Sequence, residues 1–212
     1  MARGEARIEI KEPRLFTTRA VFVVCAYGAF LCLPVFISFL VVSLHRVGIL
    51  SSLYPLLVMA ATAYFLPFGF GNPYVSRLVR SLHPTARQGQ QGFIAQLTLS
   101  PRIRSGLRAM VEDADDIGYL TFSGSELVFS GDSIKLSIPF SQIKQVRLRN
   151  IGLRGLYVYG PRIVLVVPAL ANIESLEFAE RSSCLLPASR KASRQLYERL
   201  CLKTSAANQN LI

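Results

Sequence analysis

Four acids crowd into positions 112–116 of this chain: Glu112, Asp113, Asp115 and Asp116, in the stretch VEDADDIGYLTFSG. Carboxylates this close could do two kinds of chemistry. They could hold a hard cation, or form a pair in which one carboxyl gives a proton and the other takes it. A cation such as calcium needs several oxygens converging at about 2.3 to 2.6 Å, as a D-x-D-x-D-G loop with a distant Glu supplies them. DADDIG lacks that spacing. Acid–base work needs a positioned partner and a pocket, and neither His45 nor His83 is near the run in sequence. The four acids read best as the polar approach to a strand beginning at Ile117, offsetting Arg102, Arg104 and Arg108. An acidic docking surface is the functional alternative.

Other signatures of chemistry fail. The chain has no phosphate-binding G-x-x-x-x-G-K-[ST] loop, and GFGNPY is not G-x-G-x-x-G. H-E-x-x-H and G-x-S-x-G are absent too. Cys25 and Cys32, seven residues apart, share a helical face, while Cys184 and Cys201 lie near the C-terminus. No C-x-x-C pair supports zinc or redox work, so the four read as small apolar residues in a reducing compartment. No catalytic, metal-ligating or cofactor-binding residue is assigned, and no cofactor is expected. The runner-up reading is an enzyme or metal-dependent module built on 112–116.

The elements that would position any site come next. Lys and Arg number 24 against 13 Asp and Glu, a formal net charge of +11, yet only 17% of residues are charged. About a quarter is usual for a soluble domain. The apolar excess is concentrated: 20–44 and 47–71 contain no Asp, Glu, Lys or Arg. A bilayer core about 30 Å thick takes roughly 20 apolar residues in a helix, so the sequence predicts a two-helix transmembrane hairpin over 20–71. A cleaved signal peptide would have a shorter apolar region and a small-residue cleavage site. Arg3, Arg7, Lys11, Arg14 and Arg19 precede the first span, Arg77, Arg80 and Arg87 follow the second, and only Arg46 lies in the link. That asymmetry places both termini in the cytoplasm. The spans hold no acid or base that could carry a proton or ion, which argues against a transporter or channel.

The remaining boundaries follow composition. Residues 1–19 form a cytoplasmic tail. Residues 72–92 form a juxtamembrane amphipathic helix and linker, with Val75, Leu78, Val79 and Leu82 on one helical face. From 93 the apolar period drops to two. FIAQLTL, IGYLTF, ELVFSG, SIKLSIPF, QIKQVRLR, GLYVYG, RIVLVV and ESLEFAER read as short strands, the second and third joined by a hairpin turn at Ser123–Gly124–Ser125. Val146 and Leu148 are expected to face inward, Arg147 and Arg149 outward. A helix begins near Pro187, with Ala192, Leu196, Tyr197 and Leu200 as its apolar stripe. Residues 204–212 are a tail.

The run GYLTFSGSELVFSGDSIKLSIPFSQIKQV, 118–146, resembles pleckstrin-homology-like and GRAM-like domains through Gly118, Phe129, Pro139 and Ile143. The resemblance covers roughly 93–203, and the insert SPRIRSGLRAMVEDAD departs from it. It implies a cytoplasmic antiparallel barrel of about seven strands capped by the C-terminal helix. With the hairpin, the fold class becomes an α+β membrane protein anchored in a bacterial inner membrane. In such domains the loop after the first strand often meets lipid phosphates. That makes Arg102, Arg104 and Arg108, together with Arg77 and Arg80 beside the bilayer, candidates to face anionic phospholipid. A second basic cluster comprises Lys144, Arg147, Arg149, Arg154 and Arg162. Lys144, Arg147, Arg149 and Arg154, with the four acids, are the candidate partner-docking residues. Charge alone would permit nucleic acid, but no aromatic interleaving or helix-turn-helix pattern supports it. The expected function is a non-enzymatic membrane-anchored scaffold or accessory subunit whose cytoplasmic domain binds a protein partner, anionic headgroups, or both.

Overall fold

The structure is a computed structural model. It describes residues 5–23, 26, 33, 36–37, 40, 43–44, 72–83, 92–104, 114–150, 161–170, 172–183 and 186–209. Eight strands make one antiparallel sheet: β1 (Arg7–Ile10), β2 (Gly92–Ser100), β3 (Asp116–Ser123), β4 (Glu126–Gly131), β5 (Ile134–Pro139), β6 (Gln145–Arg149), β7 (Arg162–Val166) and β8 (Ser175–Glu180). Their spatial order is β1-β5-β4-β3-β2-β8-β7-β6. Helix α1 is Asn72–Leu82 and α2 is Leu186–Gln209.

Alternation decides which face each strand buries. Ile134, Leu136 and Ile138 of β5 point to one side and join Leu127 and Phe129 of β4, Leu97 and Leu99 of β2, Ile163 and Leu165 of β7, and Leu176 and Phe178 of β8. The sheet curls so that these all line one core. Helix α2 closes that core with Leu196 and Leu200. Its wholly buried residues Ser189, Ser193, Leu196 and Leu200 recur at three- and four-residue spacing, the period of a single helical face. A smaller core occupies the opposite face, where Val75 and Val79 of α1 pack with Phe16, Val21, Ile94 and Ile117. The apolar face of α1 is therefore spent on the sheet, and Arg77 and Arg80 stay exposed.

Two tight features fix the register. Ser123 pairs with Glu126 across a two-residue turn, and Gly124 takes φ 56° there, a conformation that suits glycine in such hairpins. Gly118 faces Gly131; a Cβ at 118 would lie 2.4 Å from the Ser130 carbonyl oxygen, so the two strands approach only because both residues lack side chains.

Three expectations are corrected. First, the sheet is not closed into a pleckstrin-homology-like barrel. Closure would require its terminal strands, β1 and β6, to pair, but among the described residues β1 bonds only to β5 and β6 only to β7. The N-terminal tail supplies an eighth strand instead of a lead-in. Second, the transmembrane hairpin over 20–71 is not supported. Among the described residues no helix is long and apolar enough to cross a membrane. Helix α1 has only 11 residues, and the 24-residue α2 carries Arg190, Lys191, Arg194, Glu198, Arg199 and Lys203. Charges at such density make lipid burial prohibitive. Described positions between 18 and 44 are helical, with Phe36 and Leu44 exposed; residues 45–71 lie outside the described residues. Third, placement as an integral inner-membrane protein rested on those spans, and so did the membrane as a partner. Both fall with them. The strand expected at GLYVYG and the linker 85–91 also lie outside the described residues.

Candidate binding surface

The acidic run separates into inward and undescribed members. Glu112 and Asp113 lie outside the described residues. Asp115 and Asp116 are buried, and backbone amides occupy them. Asp115 Oδ2 accepts the Leu99 N–H at 2.8 Å, and its Oδ1 accepts those of Ile103 at 3.1 Å and Arg104 at 2.9 Å. It thus ties the end of β2 to the loop after it. Asp115→Ala removes both acceptor oxygens and with them all three hydrogen bonds. Hydrogen bonds to a charged group contribute about 1.5 to 3 kcal/mol each and are not additive, so a loss on the order of 3 kcal/mol is expected. Amide exchange at Ile103 and Arg104 should rise well beyond the global change, and an unchanged exchange rate there would contradict the assignment.

Asp116 binds the next turn. Its Oδ2 accepts the N–H groups of Ser133 at 2.9 Å and Ile134 at 2.6 Å. Burial pushes its carboxyl up to about 6; the amides of Ser133, Ile134 and Ile117 oppose that rise and the Asp132 charge adds to it. Asp132 holds the N-terminal segment in turn, its Oδ2 accepting the amides of Leu15 at 2.8 Å and Phe16 at 2.7 Å. Asp116 Oδ1 and Asp132 Oδ1 are both buried, with no donor among the described residues. Sequence reading does not single out Asp132. Its signal was an Asp at a strand entrance, a position that favours capping of nearby amides.

Among the described residues no group of three or more His, Cys, Asp or Glu side chains is placed to hold a metal ion. His83 uses Nε2 against the Ser130 carbonyl oxygen at 2.8 Å. Glu180 is buried, and burial raises its carboxyl above the usual range, opposed by Ser182 and Ser189. Ser189 Oγ donates to this residue at 3.1 Å, which anchors the start of α2 to the end of β8.

The basic residues also divide. Arg102 and Arg104 are half-buried, and Arg104 donates to Ser133 Oγ at 3.0 Å. Arg108 and Arg154 lie outside the described residues. Arg162, expected in a surface cluster, is only 2% exposed. Its Nη1 donates to Glu177 Oε2 and to Thr98 Oγ1, each at 3.2 Å. Arg149 reaches the same Glu177 from the surface. That leaves Lys144, Arg147 and Arg149 exposed on or beside β6. Leu148, expected inward, is 42% exposed, while Val146 packs partly against the main core. β6 ends the sheet, and one side of its backbone has no strand beside it among the described residues.

The pleckstrin-homology-like and GRAM-like resemblance gains no support from comparison: no protein-family model matches the chain, and neither does any curated protein or any solved structure.

Proposed function

We propose that this chain is a non-enzymatic binding module whose β6 edge takes up an extended, acidic segment of a protein partner. The observation that carries the reading is the character of β6: a terminal strand, mostly exposed, with Arg147 and Arg149 in the strand and Lys144 just before it. An open edge offers main-chain donors and acceptors to an added strand, and alternate side chains then select the sequence. Here the selecting groups are cationic. The metal-dependent alternative on 112–116 is weakened because backbone amides already occupy Asp115 and Asp116.

The test uses two fluorescein-labelled peptides alternating Val with Glu and Val with Lys, titrated with the full chain. The Val/Glu peptide is expected to bind, with affinity falling as salt rises because exposed charges are screened. Lys144→Glu combined with Arg147→Glu should weaken it by about tenfold or more, equivalent to about 1.4 kcal/mol, without changing the unfolding midpoint. Equal binding of both peptides, or indifference to the reversals, would count against the proposal.

A further inference from the structure

Helix α2 carries a second face that its packing does not use. Arg199, Leu202, Lys203 and Ala206 recur at i, i+3, i+4 and i+7, one stripe of a helix, and all four are exposed. This stripe stands beside the end of the β3–β4 hairpin. Between them lies an open groove of about 880 Å³, lined on the hairpin side by Thr121, Phe122, Ser123 and Val128. Among the described residues no acid lines it, while Arg199 and Lys203 both do. Its walls are firm. Phe122 stacks on Phe140 with centroids 6.0 Å apart and meets Phe93 edge-on at 6.3 Å. The Arg199 guanidinium lies 5.7 Å from the centre of the Phe93 ring, a cation–π placement against the same ring that Phe122 meets. Leu202, at 71% exposure, is the most exposed large apolar side chain among those described.

We infer that this groove docks an amphipathic acidic helix of a partner protein, at a site distinct from the β6 edge. Small ligands usually bury 70–90% of their surface in concave pockets, and an open trough beside a helix face cannot enclose one. A helix laid along α2 covers Leu202, Phe122, Val128 and Ala206 with its apolar stripe. Its flanking carboxylates meet Arg199 and Lys203. The apolar contacts supply affinity, and the two cations set orientation and exclude basic segments.

The experiment uses the full chain and three synthetic helical peptides: leucines on one face flanked by glutamates, the same peptide with lysines for glutamates, and the glutamate peptide with serines for leucines. Saturable binding is expected for the Leu/Glu peptide alone. The double variant Arg199→Glu/Lys203→Glu should lose about tenfold or more in affinity for it and gain binding of the Leu/Lys peptide. Leu202→Ser should weaken the Leu/Glu peptide, while Arg147→Glu should leave it unaffected, which separates this site from β6. All the altered positions are exposed, and near-unchanged unfolding midpoints check that the variants fold. Absence of Leu/Glu binding, or equal binding to the wild type and the double variant, overturns the inference. So does a concentration-dependent dimer that Leu202→Ser abolishes, since a second copy of the chain would then be the occupant.

Discussion

Glu177→Ala is expected to cost about 3 to 5 kcal/mol. Removing one member of a buried ion pair leaves its partner's charge desolvated and uncompensated. Arg162 is that partner: its side chain is 2% exposed, and its Nη1 lies 3.2 Å from Glu177 Oε2. Arg149 cannot share the loss, since its own side chain is 60% exposed, and exposed pairs contribute about 0 to 1 kcal/mol. The variants therefore rank by which partner is lost. Arg149→Ala should shift stability by less than about 1 kcal/mol. The double variant Glu177→Leu/Arg162→Leu should recover much of what Glu177→Ala loses, because apolar groups of similar volume can replace a buried pair at little cost. Urea unfolding reads all three: the midpoint for Glu177→Ala should fall by roughly 1 to 5 M at slopes of about 1 to 3 kcal/mol/M. A drop under 1 kcal/mol would mean that water reaches Arg162.

Asp116→Asn is expected to do the opposite above neutrality. The wild-type carboxyl titrates near 6 in the fold against 3.8 as its ordinary value. The folded chain therefore holds a proton that the unfolded chain has released between these values. Stability attached to this group is complete below about pH 4, declines as pH rises through 6, and is absent beyond it. A shift of roughly two units at about 1.4 kcal/mol each amounts to something on the order of 3 kcal/mol. The amide cannot ionise and keeps an oxygen for the Ser133 and Ile134 N–H groups. Asp116→Asn should therefore be more stable than the wild type at pH 7 to 8, by about 1 to 3 kcal/mol. Its stability should vary less than the wild type's between pH 4 and 7. Unfolding curves at pH 5, 6, 7 and 8 decide it, and parallel pH profiles for the two proteins would refute the assignment.

Glu177 also marks where sequence reading succeeds and where it stops. Placing Leu176 and Phe178 inward puts Glu177 on the other face, and the same alternation sets Arg162 opposite to Ile163 and Leu165. The two charges were thus legible as sharing a face. Their adjacency was not, because Arg162 was counted with the basic surface residues. β5 was plain because one of its faces is wholly apolar, and the β3–β4 hairpin because Gly124 sits in its turn. β6 was half legible. Its alternation is regular, but Leu148 is left in the open on a strand at the end of the sheet, and periodicity carries no information on where in the sheet a strand lies. The apolar face of α1 was readable as a stripe, while the surface it meets, Ile94 and Ile117, lies in strands beyond a linker.

The acidic run misled for a related reason. Four neighbouring acids in a basic chain suggest a solvated face. Asp115 and Asp116 instead serve amides 11 to 18 residues away in sequence, and such pairings depend on register that spacing does not express. Residues 47–71 and most of 24–44 lie outside the described residues, so the expected hairpin rested on composition alone. Hydropathy counts charges and does not identify what an apolar surface packs against.

The N-terminal strand has a consequence for how the protein is made. β1 pairs with residues 134–137 of β5, Asp132 holds Leu15 and Phe16 across separations of 117 and 116 residues, and the Ala6 N–H donates to Gln142 Oε1 at 2.9 Å. A ribosome delivers these N-terminal residues first, yet every one of these partners emerges more than a hundred residues later. At roughly 5 to 20 residues per second, about 6 to 25 s separate the synthesis of the first strand from that of the strand that receives it. The first part of the sheet to be synthesised therefore docks only after β5 has been made.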